Sequence, residues 1–430
     1  MKINIVRRNF IKPSTPTPQN LKNYKLSFID ELSPPSNFGV VLFYQSKPTT
    51  KPANVLLEES LSGILPRFYP LAGRYIDEDF SVDCVDQGAE FVEAVAEGDD
   101  VEVDDLLPRR GDQFTGPTDP LLSVQVTELV KCGTLAVGVS VSHKVFDASS
   151  IGTFIAAWSN ASKNFGGEEG IGVVPNFDPH LLFPGKKRSY FGEMMPSETN
   201  GEMKPSETNH QTTTIVSKLF SFKKESITNL RSKLNPKQAF NNTIFSKVRL
   251  VSAVIAKAMI RIDGRPSLIL QAVNVRPRTA PPLPVHSCGN LALHSVAKCP
   301  HGADGLGLEE IACVMSEAIE KTVSDCVKLE SRGYEEVVIG AEAGLIEGMM
   351  SSGMSYLSFS DWSRFGLYDA DFGWGKPSSV GIARVPYERA TVLVNDGDGG
   401  GIEAWVHLSL DDMVCFEEDD EIKLYASGKM

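Results

Sequence analysis

Residues Leu135–Trp158 read LAVGVSVSHKVFDASSIGTFIAAW and change their hydrophobic period near the middle. In the first part, Val137, Val139 and Val141 alternate with small residues, a period of two that is typical of a half-buried strand. In the second part, apolar residues recur at the spacing of a core-facing helix, at Ile151, Phe154, Ile155 and Trp158. The stretch therefore predicts a strand, a short loop and a helix.

The predicted loop contains a histidine and, four residues later, an aspartate. His143 lies at the expected end of the strand, and Asp147 lies where the helix should begin and where a carboxylate caps well. A histidine at a strand end can act as a general base when a second group fixes one ring nitrogen. The spacing alone is weak evidence, because it recurs at His407 and Asp411 in a run that predicts an ordinary strand histidine.

Length, composition and charge limit the class of protein. The chain has 430 residues and exceeds the roughly 250–300 that one core serves, so we expect two domains. Its 42% hydrophobic and 23% charged residues are typical of a soluble globular protein. The net charge of −13 disfavours nucleic acid and anionic membranes as partners, and no run approaches a membrane span. With no apolar signal segment in sight, we expect a cytoplasmic protein.

No metal site or disulfide framework is predicted. The seven cysteines are odd in number and scattered, with no CxxC pair and no zinc-ligand spacing, so we interpret them as reduced thiols. The segment NDGDGGG (395–401) resembles a calcium loop but lacks the twelve-residue ligand pattern. We interpret it as a hairpin turn between two strands.

A polar stretch divides the chain. It contains a near-perfect duplication, GEMMPSETN (192–200) followed by GEMKPSETN (201–209), which is too short and too polar to bury a core. We therefore predict an N-terminal domain over 1–185 that carries His143, a flexible crossover over 186–215, and a C-terminal domain over 216–430. Helical and strand-like periods occur in both halves, which favours a mixed α/β fold.

Longer motifs accompany His143 along the whole chain. They are IKPSTPTP (11–18), FYPLAGR (68–74), QAVNVRPR (271–278), GNL (289–291), SDWSRFGLYDA (360–370), DFGWGKP (371–377) and GIEAWV (401–406). Together with the histidine loop, these motifs resemble the BAHD family, the plant acyl-CoA-dependent acyltransferases. Within that family, the chain looks closest to the branch of alcohol acetyltransferases that holds vinorine synthase and salutaridinol acetyltransferase.

The resemblance implies a two-domain α/β fold similar to that of chloramphenicol acetyltransferase. Each half would be built on a mixed sheet with flanking helices, and a solvent channel would admit coenzyme A at one mouth and the acceptor at the other. His143 would take a proton from the acceptor, which attacks the thioester directly without an acyl-enzyme. No cofactor would be bound permanently, and acyl-CoA, most simply acetyl-CoA, would be a co-substrate. The absence of a GxSxG nucleophile motif agrees with direct transfer.

The resemblance also assigns roles around the reacting groups. Asp147 would hold the loop by pairing with Arg276 rather than relay a proton. Ser360 and Trp362 match positions whose donors face the tetrahedral oxyanion in some relatives, and the sequence leaves open which of them acts.

Further residues match positions that bind coenzyme A or support the fold. Those expected near the phosphates of coenzyme A are Ser252, Lys257, Arg276 and Arg278. Those expected to be structural belong to the DFGWG motif and are Asp371, Gly373, Trp374 and Gly375. Its glycines allow close backbone approach and its aromatic rings supply buried area.

The sequence thus predicts a monomeric, metal-free O-acyltransferase that moves a short acyl group to a hydroxyl of a plant alkaloid, terpenoid or phenolic. Three alternatives are an N-acyltransferase on an amine, a degenerate family member that only binds ligands, and a peptide-synthetase condensation domain. The last usually shows HHxxxDG, whereas here Ser142 precedes His143 and Ala148 follows Asp147.

Overall fold

The computed structural model describes residues 3–45, 47–48, 51–98, 101–111, 113, 115–164, 172–187, 214–234, 245–300, 307–350 and 353–429. The chain divides into two compact units. Unit 1 comprises Met1–Tyr190, Pro284–Leu291 and Phe365–Arg384, and unit 2 comprises Phe191–Leu283, Ala292–Arg364 and Val385–Met430. The predicted crossover, with its duplication, lies outside the described residues except for 186–187 and 214–215.

Unit 1 combines two sheets with short and long helices. Its strands are β1 (Ile3–Ile11), β2 (Asn23–Lys25), β3 (Asn37–Tyr44), β4 (Arg74–Ile76), β5 (Ser81–Asp83), β6 (Ala89–Ala96), β7 (Leu122–Leu129), β8 (Thr134–Ser142) and β13 (Ser379–Ile382). Its α-helices are α1 (Phe28–Leu32), α2 (Ala53–Ile64), α3 (Ala148–Lys163) and α4 (Pro179–Leu182). Short 3-10 helices cover Gln19–Leu21, Tyr69–Ala72, Val103–Leu106 and Leu367–Asp369.

The main sheet of unit 1 is mixed and has the order β1-β6-β7-β8-β3-β13, in which only β6 and β7 run parallel. A smaller sheet has the order β2-β5-β4. The predicted strand and helix of the opening motif are confirmed as β8 and α3. However, β8 is buried on both faces and not on one. A Cβ at Gly138 would clash with the Leu106 carbonyl oxygen, so glycine is required where a 3-10 helix crosses the strand.

The sequence predicted one boundary between two continuous domains, whereas unit 1 contains segments from both sides of that boundary. Pro284–Leu291 and Phe365–Arg384 belong to unit 1, although they follow the predicted crossover. The second segment carries DFGWG, which the sequence-based division assigned to the C-terminal domain. It joins unit 1 because β13 pairs with β3 as an edge strand, and Val380 and Ile382 are buried there.

Unit 2 is built on one large sheet. Its strands are β9 (Ile215–Phe222), β10 (Ser267–Asn274), β11 (Ala292–Cys299), β12 (Ser355–Asp361), β14 (Ala390–Asn395), β15 (Ile402–Ser409) and β16 (Ser427–Lys429). Its α-helices are α5 (Lys224–Lys233), α6 (Lys247–Asp263), α7 (Leu308–Val327), α8 (Leu329–Arg332), α9 (Tyr334–Met350), α10 (Leu410–Glu418) and α11 (Asp420–Tyr425). A 3-10 turn covers Arg276–Arg278.

The sheet of unit 2 has the order β11-β10-β12-β14-β15-β9-β16, with parallel pairs at β10/β12 and β12/β14. Alternate residues of β15 enter a core formed with α6, in which Ala404 and Val406 are fully buried. The predicted hairpin is confirmed, because β14 pairs antiparallel with β15 and the Gly401 N–H donates to Asp396 at 2.9 Å. The predicted α/β class, with a mixed sheet and helices in each half, is confirmed.

Within the described ranges, no helix combines the length and apolarity needed to cross a bilayer. All seven cysteines lie in these ranges, and no disulfide joins them.

Candidate active site

His143 lies in unit 1, in the loop between β8 and α3. The loop is tight, because the His143 N–H donates to the Ser36 carbonyl oxygen at 2.8 Å and the Val145 N–H turns back to Ser142 at 3.2 Å. The imidazole packs at a tilt on Phe38, with ring centroids 4.8 Å apart. The histidine is half-buried. These contacts hold the ring close to the surface of the sheet.

Asn290 fixes the imidazole and its tautomer. The Asn290 Nδ2 group donates to the His143 carbonyl oxygen at 2.7 Å and to the Asp30 carboxylate at 2.9 Å. Because both partners can only accept, the amide oxygen must be the atom that lies 2.9 Å from His143 Nδ1. Nδ1 therefore carries the proton and donates it to Asn290. The basic lone pair of the neutral ring is then on Nε2.

Asp30 anchors Asn290 from inside α1. Its carboxylate is fully buried and accepts four hydrogen bonds, from the N–H and hydroxyl of Ser27 and from the backbone and side-chain N–H groups of Asn290, at 2.6–2.9 Å. Burial raises the pKa of Asp30 to about 6, and these hydrogen bonds limit the rise. At neutral pH the carboxylate is mostly ionised, and its charge lies two hydrogen bonds from the His143 ring.

Asp147 is confirmed as the N-cap of α3 and also fastens the segment that carries Asn290. Oδ1 accepts the N–H of Ser150 at 2.9 Å and its hydroxyl at 2.8 Å, and Oδ2 accepts the N–H of Leu291 at 3.1 Å. The Ser150 hydroxyl also bonds the backbone of Gly289. Asp147 thus holds both sides of Asn290 in place. Its pairing with Arg276 stays a prediction.

Ser360 and Trp362 lie in unit 2, at the end of β12 and just beyond it. The Trp362 indole N–H donates to the Ser360 hydroxyl oxygen at 2.8 Å, and Trp362 is buried. This contact engages the donor of Trp362, whereas the Ser360 hydroxyl keeps its own proton for donation. The role of either residue as an oxyanion donor stays a prediction.

The residues predicted to bind coenzyme A fall into two separate groups within unit 2. Ser252 and Lys257 lie five positions apart on α6, about 140° around the helix axis, so they do not share a face. Ser252 is buried, and the Lys257 ammonium lies 3.1 Å from the Glu421 carboxylate. Lys257 is therefore already neutralised by an acidic neighbour, which weakens its predicted role.

Arg276 and Arg278 are gathered around one asparagine after β10. Nη1 of Arg276 donates to the Asn274 side-chain oxygen at 3.2 Å, and Nη1 of Arg278 donates to the Asn274 carbonyl oxygen at 2.5 Å. Burial and the nearby Arg364 lower the pKa of Arg278. Arg276 is buried, with 2% of its surface exposed, whereas Arg278 is half-buried, so Arg278 stays the better candidate for the phosphates of coenzyme A.

The DFGWG motif makes structural contacts at the end of α3. Asp371 accepts the N–H groups of Gly373 and Gly375, both at 2.9 Å, and pairs with Lys163 at 2.7 Å. Both glycines have φ above +100°, which disfavours any side chain. The rings of Phe372 and Trp374 stack 5.7 Å apart, and Phe372 packs edge-on against Trp158. The Asp371–Lys163 and Phe372–Trp158 contacts join the motif to α3, the helix that follows the histidine loop.

Sequence reasoning gave no role to Asn290 or Asp30. Asn290 belongs to the GNL motif, but it lies 147 positions from His143, and no local sequence pattern predicts a contact at that separation. Asp30 forms a capping box with Ser27, a pattern that predicts a helix start without indicating what else the carboxylate binds.

A sequence model described as Transferase family matches residues 1–423. The chain is 40% identical to the pelargonidin 3-O-(6-caffeoylglucoside) 5-O-(6-O-malonylglucoside) 4'''-malonyltransferase of Salvia splendens, over 99% of this chain and 100% of the relative. It is 34% identical to vinorine synthase of Rauvolfia serpentina, over 95% of this chain and 94% of the relative.

Solved structures show the same architecture. The crystal structure of vinorine synthase aligns with a TM-score of 0.79 at 31% identity and covers 99% of both chains. The crystal structure of F. sporotrichioides TRI101 complexed with coenzyme A and T-2 aligns with a TM-score of 0.65 at 20% identity, covering 94% of this chain and 99% of that one, a likeness of fold alone.

Fold and relatives together define an acyl-CoA-dependent acyltransferase. The chain belongs to the Transferase family, the BAHD acyltransferases of plant specialised metabolism. The predicted family, fold and enzyme class are confirmed.

Proposed function

We propose that this enzyme transfers a short acyl group, most simply acetyl, from coenzyme A to a hydroxyl group of a plant specialised metabolite, with His143 as the general base. The observation that carries the proposal is the hydrogen bond from His143 Nδ1 to Asn290, which leaves the basic lone pair on Nε2. A histidine in this fixed tautomer can accept a hydroxyl proton without first rearranging.

The reaction proceeds in two steps. His143 Nε2 takes the proton of the acceptor hydroxyl while its oxygen attacks the thioester carbonyl carbon and forms a tetrahedral oxyanion. The oxyanion collapses, the carbon–sulfur bond breaks, and the imidazolium returns the proton to the sulfur of coenzyme A. The buried Asp30 carboxylate, acting through Asn290, stabilises the imidazolium between the two steps. The products are an ester and free coenzyme A.

Other residues complete the proposed site. The Ser360 hydroxyl donates to the oxyanion, and its partner Trp362 holds it by donating to the hydroxyl oxygen. Arg278 supplies positive charge for the phosphates of coenzyme A in a chain whose net charge is −13, and the buried Arg276 contacts the same Asn274. No bound metal or other cofactor takes part in this scheme.

A second candidate donor is malonyl-CoA, with a sugar hydroxyl of a glycosylated flavonoid as acceptor. It is favoured by the 40% identity to a relative named as a malonyltransferase of a pelargonidin glucoside. The acetyl proposal is favoured by the relatives named O-acetyltransferases, among them stemmadenine O-acetyltransferase of Catharanthus roseus at 32% identity. The two candidates share the same base and the same transfer step.

The test is a matrix of donors and acceptors analysed by mass spectrometry. Acetyl-CoA and malonyl-CoA are each incubated with alkaloid alcohols, terpenoid alcohols, anthocyanin glucosides and primary amines. A mass gain of 42 with acetyl-CoA supports the first candidate and a gain of 86 with malonyl-CoA supports the second, where these gains are the nominal masses of the acyl groups, to about one unit. Transfer to amines alone would favour the N-acyltransferase, and no transfer to any acceptor would favour a binding protein.

The proposal also includes a cytoplasmic monomer. Analytical ultracentrifugation of the purified chain tests the monomer, and fractionation of plant cells tests the compartment. A sedimenting species of twice the 46.9 kDa chain mass would contradict the monomer.

A further inference from the structure

Asp30, whose carboxylate orients Asn290, lies on α1, a helix too short to be stable by itself. α1 has five residues, whereas isolated helices shorter than about 12–15 residues are marginal in water. The position of Asp30 therefore depends on contacts that α1 makes with the rest of unit 1. One such contact is the Phe28 N–H, which donates to the Phe183 carbonyl oxygen at 2.8 Å.

The neighbouring residue, Glu31, makes the strongest of these contacts. Its carboxylate accepts two consecutive backbone N–H groups, from Lys186 at 2.9 Å and from Lys187 at 3.0 Å. The glutamate is only 4% exposed, so these charge-assisted bonds are shielded from water. A Cβ at Gly185 would lie 2.3 Å from a Glu31 carboxylate oxygen. Glycine is thus needed for the close approach.

Glu31 also contacts the histidine loop from the other side. Its carbonyl oxygen accepts the Lys144 ammonium at 3.3 Å, and Lys144 directly follows His143. Lys144 is buried, and its ammonium lies 5.8 Å from the centre of the Tyr75 ring. The hydrogen bond from the buried Lys144 ammonium to the Glu31 carbonyl oxygen ties α1 to the loop. One residue therefore connects α1, the Gly185–Lys187 segment and the histidine loop.

We propose that Glu31 is a positioning residue for His143, because it locks α1 against Gly185–Lys187 and so sets where Asp30 holds Asn290. This inference rests on the proposed function, in which His143 is the base. Glu31 touches neither the imidazole nor Asn290 and acts only through the helix backbone. A displacement of α1 moves the Asp30 carboxylate, Asn290 follows it, and the imidazole loses the alignment that proton transfer requires.

The decisive variants are Glu31→Gln and Gly185→Ala. In Glu31→Gln the amide oxygen can still accept one N–H, but the amide nitrogen faces the other donor and repels it. Gly185→Ala keeps the glutamate at position 31, but the added methyl group displaces its carboxylate from the backbone N–H groups. It therefore supplies the same test if Glu31→Gln does not fold. The matched control is Asp79→Asn, which removes the charge of the exposed side-chain partner of Lys187 and leaves both backbone bonds to Glu31 intact.

We expect kcat to fall about tenfold or more in both variants, with KM for acyl-CoA and for the acceptor within about twofold. We also expect the Nδ1 proton signal of His143, assigned by its loss in His143→Ala, to broaden because the bond to Asn290 loosens. The control should match the wild type in both measurements.

Two outcomes separate this inference from the function on which it rests. Folded Glu31→Gln and Gly185→Ala enzymes with wild-type kcat and an unchanged Nδ1 signal would overturn the positioning role, while an inactive His143→Ala would leave the base in place. A fully active His143→Ala would instead overturn the proposed base itself. A lower melting temperature with unchanged kcat would make Glu31 a stabilising residue only and would also overturn the inference.

Discussion

The side-chain oxygen of Asn290 lies 2.9 Å from Nδ1 of His143, and the amide nitrogen of the same side chain lies 2.7 Å from the His143 carbonyl oxygen. Both contacts form within unit 1, although the residues are 147 positions apart in the chain. A single asparagine therefore fixes the ring and the backbone of the histidine together. The orientation of the ring and its tautomer are set by the same contact.

Removal of the imidazole should stop transfer without unfolding the protein. We expect His143→Ala to lower kcat by about 10²–10⁴, the usual contribution of a general base. The half-buried side chain leaves little cavity, so the circular dichroism spectrum and the melting temperature should change little. His180→Gln, at a half-buried histidine of α4 in the same unit, is the matched control. The base assignment is wrong if His143→Ala keeps more than a few per cent of the wild-type rate.

Asn290→Ala should reduce turnover more than binding. The imidazole would lose the partner that selects its tautomer, and the buried Asp30 carboxylate would lose one of its four donors. We expect kcat to fall about 10²-fold, with KM values within a few-fold, because the lost interaction matters most when His143 is charged. Steady-state kinetics with varied acceptor and varied acyl-CoA measure this split. A rise in KM at constant kcat would instead place Asn290 in ground-state binding.

Much of unit 1 could be predicted from local pattern. The change of period over Leu135–Trp158 was sufficient for β8, α3 and the loop between them, because a strand and a helix bury residues at different spacings. Apolar residues over Ala53–Leu65 likewise recur at helical spacing, and this segment forms α2 over Ala53–Ile64. Such elements follow from the interactions of near neighbours in the chain.

The rest depends on pairing between distant segments, which local pattern does not encode. The four-residue strand β13 is too short to show a period, and it joins unit 1 only because the edge of β3 accepts it. The hydrogen bonds of Asn290 to His143 and Asp30 span 147 and 260 positions. The long helix α9 was not predicted either, since apolar residues are spread around it and leave no clear face.

Ser360→Ala and Trp362→Phe should differ in severity. The serine hydroxyl is the oxyanion donor in the proposed mechanism, and loss of one such donor lowers kcat by about 10²–10³. Trp362→Phe keeps a smaller aromatic ring at the buried position but removes the N–H that holds Ser360, so we expect a fall of only about tenfold. Single-turnover rates at saturating acyl-CoA compare the two. If Trp362→Phe is the more damaging change, the indole N–H and not the hydroxyl faces the oxyanion.

Asp147→Ala should reduce both stability and activity. The variant loses the N-cap of α3, which contributes about 1–2 kcal/mol, and leaves the buried N–H of Leu291 without its acceptor. Because that N–H adjoins Asn290, kcat should fall together with the free energy of unfolding. Asp147→Asn, which can still cap Ser150, should retain more stability than Asp147→Ala. Urea unfolding and kinetics on the same samples would contradict this prediction if stability fell and kcat did not.

The buried carboxylate of Asp30 should make stability and activity respond to pH in opposite directions. Its pKa is about 6 in the folded protein against 3.8 for the ordinary group, so the folded state holds this proton more tightly than the unfolded state. The resulting stabilisation is fully present below pH 3.8 and is lost as pH rises through about 6, a change of about 3 kcal/mol. Activity instead needs the ionised form and should rise over the same window.

Asp30→Asn isolates this contribution, because the variant cannot titrate there while every other group still does. The free energy of unfolding is measured in urea from pH 4.5 to 7.5 for both proteins. We expect the value for the wild type to fall relative to that for Asp30→Asn as pH rises. Asp30→Asn should also lose the part of the acid-side increase of kcat that ionisation of Asp30 contributes, whereas the part that comes from deprotonation of the base His143 should remain. A stability difference that stays constant over this range would mean that Asp30 has an ordinary pKa. The ionised Asp30 would then already be present at pH 5, and the acid limb would belong to His143 alone.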